Sequence, residues 1–93
     1  MTDIGERNTS EALDEALETV RTLIAAELST DRDSIEADAV MKELPGADSV
    51  RLLRVVAKLE RKYDTEFEDD DIFEVITPRD LAKLAVSGAD SSS

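Results

Sequence analysis

Leu13, Leu17, Val20, Ile24 and Leu28 recur at intervals of three and four residues, the spacing that stacks side chains on one face of an α-helix. Ala16 and Leu23 widen the same stripe. A second stripe follows at Leu52, Val55, Val56, Leu59 and Tyr63, which cluster on one side at 100° per residue. Neither helix can leave such a face in water, so each needs the other as a partner. No segment keeps the period of two that a half-buried strand requires. With 93 residues there is room for one domain and one modest core. The predicted class is all-α, a bundle of three main helices plus one short helix, with a long first loop.

The elements have readable limits. Ser10 is placed to cap the first helix, with Glu11 and Asp14 in its first turn, and the helix is expected to end near Leu28. Residues 29–48 form a long connection in which Ile35, Val40 and Leu44 are spaced to enter a core. Ala37 to Glu43 can hold a helical turn, and Pro45-Gly46 marks a break. The second helix is expected from Asp48-Ser49 to about Lys62. Phe67 is expected to anchor the acidic loop that follows. Ile72, Val75 and Ile76 point to a short third helix, with Ile76 assigned to the core and Phe73 read as a core residue ahead of a partner contact. Thr77 as cap, Pro78 in the first turn and Asp80 at the third position open the last helix. Leu81, Leu84 and Ala85 are its buried face, and Gly88 is expected to end it. The predicted organisation is a flexible N-terminus over 1–9, a domain over 10–86 and a disordered polar tail over 87–93.

Composition removes whole classes of function. The chain holds no Cys and no His, which excludes disulfides, thiolate nucleophiles, Cys/His zinc sites and histidine-based triads. No catalytic residue is proposed. The net charge of −12 disfavours nucleic acid phosphates and favours partners with basic patches. Met1 to Ser10 has no apolar run of the kind a signal peptide carries, and no stretch approaches membrane-spanning length. A cytoplasmic monomer, with no membrane attachment, is expected. The seven acids between Asp64 and Glu74 do not make a calcium loop. Asp69 stands where the invariant glycine belongs, and Val75 where the bidentate Glu belongs. No metal site is expected.

The informative stretch is Leu44-Pro45-Gly46-Ala47-Asp48-Ser49-Val50, where the long loop enters an apolar helix. The free N–H groups and positive dipole end of a helix N-terminus stabilise a phosphate held there. Ser49 is therefore well placed to carry a phosphodiester. An Asp-Ser pair before a helix is also an ordinary capping signature. The chain contains its own control, because Gly-Ala-Asp-Ser recurs at 88–91 with no helix expected after it. The tetrapeptide means little by itself, and its context separates the two copies.

Over residues 11–86 that context resembles the acyl carrier proteins. The resemblance rests on Gly46, Asp48, Ser49 and Val50, which match the family's Gly-x-Asp-Ser-(Leu/Val) motif at the start of its second helix. It continues through Leu44, through Leu53, Val56, Leu59 and Tyr63, through Asp64-Thr65-Glu66-Phe67, and through Val75-Ile76-Thr77. The resemblance implies a non-enzymatic carrier. Its Ser49 would receive covalent 4'-phosphopantetheine from a phosphopantetheinyl transferase that uses coenzyme A and magnesium. Asp48 would help position metal and phosphate. Val50, Arg51, Leu53, Arg54, Ala57 and Lys58 would face partner enzymes: an acyl-loading enzyme, a ketosynthase or other pathway enzymes. The other interpretation of Val50, Leu53 and Ala57 is a broad core face. Pro45 departs from the family pattern, and so does the charge of the second helix. Family members of fatty acid synthesis show acids there. Residues 49–62 hold five basic residues and one acid, a net +4, which leaves −16 on the remainder. A basic face paired with the acidic loop is one explanation, and cognate enzymes of polyketide or other specialised biosynthesis are another. A peptidyl or aminoacyl carrier, a fatty acid carrier and an unmodified carrier-like binding subunit are the alternatives.

Overall fold

A computed structural model describes the backbone of residues 4–91 and the side chains of residues 11–87. Four helices follow one another: α1 (Ile4–Leu28), α2 (Ser49–Tyr63), α3 (Asp69–Glu74) and α4 (Pro78–Ser91), with single 3₁₀ turns at Arg32–Ser34 and Met41–Glu43. The described residues contain no strand, as expected of an all-α bundle. α1 packs against α4 and α2, and α2 also meets α4. The core contains Ala16, Val20, Ile24 and Leu28 from α1, Val55, Val56 and Leu59 from α2, and Leu81, Ala82 and Ala85 from α4. They follow the stripes read from the sequence, except that Ala82 is buried while Leu13, Leu17, Leu23 and Leu84 are half-buried against the core. Leu52 and Tyr63 are half-buried at its edge.

Two helix limits differ from expectation. α1 begins at Ile4, not at Ser10, so Ser10 is inside the helix and does not cap it. α4 continues through Gly88 to Ser91. The physical reason is cooperativity. Once a helix is nucleated by a packed face, each further residue gains a hydrogen bond, and an interior glycine costs only about 1 kcal/mol. Residues 1–3 and 92–93, parts of the expected flexible ends, lie outside the described residues.

The ends of α1 and α2 share one device. Thr30 N–H donates to Ala25 at 2.9 Å and Ser29 N–H to Ala26 at 3.4 Å, with Ser29 at φ +58°. Thr65 N–H donates to Glu60 at 3.0 Å and Asp64 N–H to Arg61 at 3.3 Å, with Asp64 at φ +53°. Both are Schellman closures built on a residue other than glycine.

The long connection is tied down along its length, which answers where its polar backbone goes. Ile35 is buried, and its carbonyl accepts Arg21 Nε at 2.6 Å. Met41 N–H donates to Ile76 at 2.9 Å and Arg79 N–H to Ala37 at 3.0 Å. Asp38 accepts Arg79 Nε at 2.9 Å, and this hydrogen bond holds its carboxyl below the usual aspartate value. Four core assignments shift as a result. Val40 is exposed and Met41 is buried in its place, Leu44 is half-buried, and Ile76 and Phe73 lie on the surface. These residues belong to segments shorter than two helical turns. Long-range hydrogen bonds, rather than a local period, set which side chain turns inward. Phe67 does anchor its loop: it is buried, and its N–H donates to Glu60 Oε2 at 2.7 Å.

Candidate functional site

The approach to α2 is a sequence of local devices. Pro45 and Gly46 occupy the central positions of a turn closed by Ala47 N–H donating to Leu44 at 3.0 Å. Gly46 has φ +84°, and this turn, with proline first and a positive φ second, is type II. A side chain at Gly46 would have room beside the Arg51 guanidinium, so its requirement for glycine is the backbone angle. Asp48 is extended, and its Oδ1 accepts Arg51 N–H at 2.8 Å, which caps the helix as its position predicted. Ser49 is then the first residue of α2 and is exposed. Its hydroxyl makes no hydrogen bond within the described residues, and it stands at the positive end of a 15-residue helix. Arg51 adds a cation close by, 3.8 Å from Asp48 and 3.4 Å from the Gly46 carbonyl.

Ser49 also borders a cavity of about 340 Å³, a size typical of small-ligand pockets. Leu52, Leu53 and Val56 of α2 form one wall, Val40 and Met41 another, and Ile72, Phe73, Val75 and Ile76 the third, with Leu81 of α4 completing the lining. Lys42 is the one charged residue in the lining. The sequence reading missed most of this cavity. It sent Val40 and Ile76 to the core and favoured the core over a partner contact for Phe73, when all three form its rim. One signal was available for Phe73, an aromatic residue standing among the acids Asp70, Asp71 and Glu74.

The structure separates the residues expected to face partners. Val50 and Leu53 are 61% and 56% exposed and Ala57 is exposed, so this stripe is not part of the core. Arg54 and Lys58 do not pair with the acidic loop. Both reach Glu27 of α1, at 3.3 and 3.2 Å, and the Glu27 side chain is only 10% exposed. Hydrogen bonding from Lys58, with Arg54 adding to it, holds the Glu27 carboxyl below its ordinary value. Arg61 and Lys62 make no ion pair among the described residues. No cluster of three or more potential metal ligands occurs there either.

At the base of the site, the junction between α3 and α4 is held by a reciprocal cap. Asp80 N–H donates to Thr77 Oγ1 at 3.1 Å, and Asp80 Oδ2 accepts Ile76 N–H at 3.1 Å and Thr77 N–H at 3.2 Å. The Ile76 bond, foremost, lowers the Asp80 carboxyl from its ordinary value.

Comparison with known proteins supplies the remaining observation. The family described as phosphopantetheine attachment site matches residues 18–85. The acyl carrier protein of Bdellovibrio bacteriovorus is 32% identical over 63 residues, 68% of this chain and 81% of the relative. That of Campylobacter jejuni subsp. doylei is 31% identical over 62 residues, 67% of this chain and 80% of the relative.

Proposed function

Because this chain belongs to the acyl carrier protein family, a family of phosphopantetheine-bearing carriers rather than enzymes, we propose that Ser49 is its attachment point and that it shuttles thioester-linked acyl groups. The observation that carries this reading is a juxtaposition. A free serine hydroxyl stands at a helix N-terminus, and the same serine opens onto an apolar cavity.

The fit to the group follows from the residues present. The anionic linkage would lie against the first N–H groups of α2, with Arg51 as the nearby cation. When bound, the group supplies a terminal thiol on which an acyl chain is held as a thioester. The chain has no Cys of its own to compete for that acyl group. Asp48 holds the helix end in place, and Gly46 gives the loop the turn that presents Ser49. The cavity wall offers apolar contact to an aliphatic chain. Its lone charged residue, Lys42, would repel the ammonium of an aminoacyl group, which favours acyl over aminoacyl cargo.

The finer reading is a carrier of polyketide or other specialised biosynthesis, in the cytoplasm, with the working domain at 10–86. The basic outer face of α2 supports it, since an enzyme with a basic docking surface is poorly matched to that face. A carrier of fatty acid synthesis is the second reading, favoured by relatives named simply as acyl carrier proteins. Partners are a phosphopantetheinyl transferase and the enzymes that load and use the acyl group.

Intact mass after incubation with coenzyme A, magnesium and a broad-specificity transferase tests the attachment. One phosphopantetheine is expected on the wild type and on Ser91→Ala, and none on Ser49→Ala. Modification that survives Ser49→Ala would overturn the assignment.

A further inference from the structure

Four apolar side chains around the cavity mouth are more than half exposed. Val50 is 61% exposed, Leu53 56%, Phe73 84% and Ile76 55%. Leu53, Phe73 and Ile76 line the cavity together with Ser49, and Val50 follows Ser49 in the first turn of α2. Apolar surface gathered at such an opening marks a place where another surface excludes water.

The charges beside this patch are divided by side. At 100° per residue, Leu53, Ala57 and Val50 occupy the arc of α2 between Ser49 and a cationic row of Arg61, Arg54 and Lys58. Phe73 and Ile76 lie across the cavity, and Phe73 belongs to α3, whose Asp69, Asp70, Asp71 and Glu74 are all exposed. The apolar patch therefore separates a cationic edge from an anionic edge.

We infer that this patch docks enzymes whose entrance is apolar, with carboxylates along the side that meets α2 and Lys or Arg along the side that meets α3. The inference rests on the reading of Ser49 as the attachment point, since the partner is an enzyme acting on a group held there. The division of charge selects one orientation. A partner turned half-way about would set like charges against each other on both flanks, which is costly. Arg54 and Lys58 are shared between this edge and Glu27, so Arg61 is the cation wholly available to the partner.

The test uses the full chain, first loaded with phosphopantetheine and checked by mass. Failure of Ser49 to load overturns the attachment reading, and the docking inference with it. Loading on Ser49 isolates the docking question. The arm's thiol is then acetylated, and exchange of that acetyl group onto the cysteine of two ketosynthases, which frees the arm thiol, is timed. One ketosynthase has an entrance acidic on one side and basic on the other, and one has a uniformly basic entrance. For the divided entrance, Arg61→Glu and Asp70→Lys should each slow transfer about tenfold at low salt and little at high salt. Phe73→Ser should slow it at both. For the uniformly basic entrance, Arg61→Glu should speed transfer. Equal rates for the wild type and both charge variants at low salt, or faster wild-type transfer to the uniformly basic enzyme, would overturn the inference.

Discussion

Asp80 shows how one carboxylate can govern a junction. Its Oδ2 accepts two backbone N–H groups, from Ile76 and Thr77, and Ile76 in turn accepts Met41 N–H from the long connection. Because the folded-state value of Asp80 is lowered, its contribution is full above the ordinary aspartate value of 3.8 and is lost as pH falls through the lowered value. Glu27 and Asp38 act in the same sense, Glu27 from an ordinary value of 4.5. Asp80→Asn should cost about 1.5–3 kcal/mol at neutral pH, the usual worth of hydrogen bonds to a charged group. Denaturant midpoints across pH should show the gap from wild type closing on the acid side. A gap that stayed constant down to pH ~2 would contradict the linkage. At the neighbouring site, Asp48→Ala removes the cap on Arg51 N–H and should cost about 1 kcal/mol.

Between elements, the contact of α1 with α2 is more than apolar. Arg54 and Lys58 both hold Glu27, whose side chain is largely covered. From sequence alone the two cations read as a face paired with the acidic loop or turned toward partner enzymes. The structure corrects that expectation. Arg54→Glu with Lys58→Glu would gather three carboxylates at one contact, so the double variant should melt at a lower temperature than the wild type. Arg61→Glu should melt with the wild type, and equal melting of all three would show the contact to be inert. The C-terminal end of α1 allows a gain instead. Ser29 sits at φ +58°, where a β-carbon costs about 1–2 kcal/mol. Ser29→Gly should therefore stabilise the protein by about 0.5–1 kcal/mol, after the added freedom of the unfolded chain is set against that relief.

For the whole molecule, charge is the dominant fact. A net −12 on 93 residues, with −16 outside α2, is self-repulsive in the compact state. Added salt screens that repulsion, and it also weakens exposed ion pairs that are each worth about 1 kcal/mol or less. The first effect should win, so the melting temperature at neutral pH should rise with sodium chloride. A fall would mean that the ion pairs to Glu27 and Asp38 outweigh the global term.

The sequence by itself determined what is periodic or local. The stripes of α1 and α2 follow from a 3.6-residue repeat sustained over several turns. The cap at Asp48, the reciprocal cap of Thr77 and Asp80 and the break at Pro45-Gly46 each depend on residues within four positions of one another. Such signals need no tertiary information. The tertiary structure alone decided which way the non-periodic residues face. Val40, Phe73 and Ile76 turn outward and Met41 inward because Met41 N–H is bonded to Ile76, 35 positions away, and Arg79 N–H to Ala37. It also decided that Arg54 and Lys58 meet Glu27, since a pairing across 27 and 31 residues exists only once α1 and α2 are packed. The cavity at Ser49 has the same origin. Its lining comes from four separate segments, and no local pattern records that they will meet.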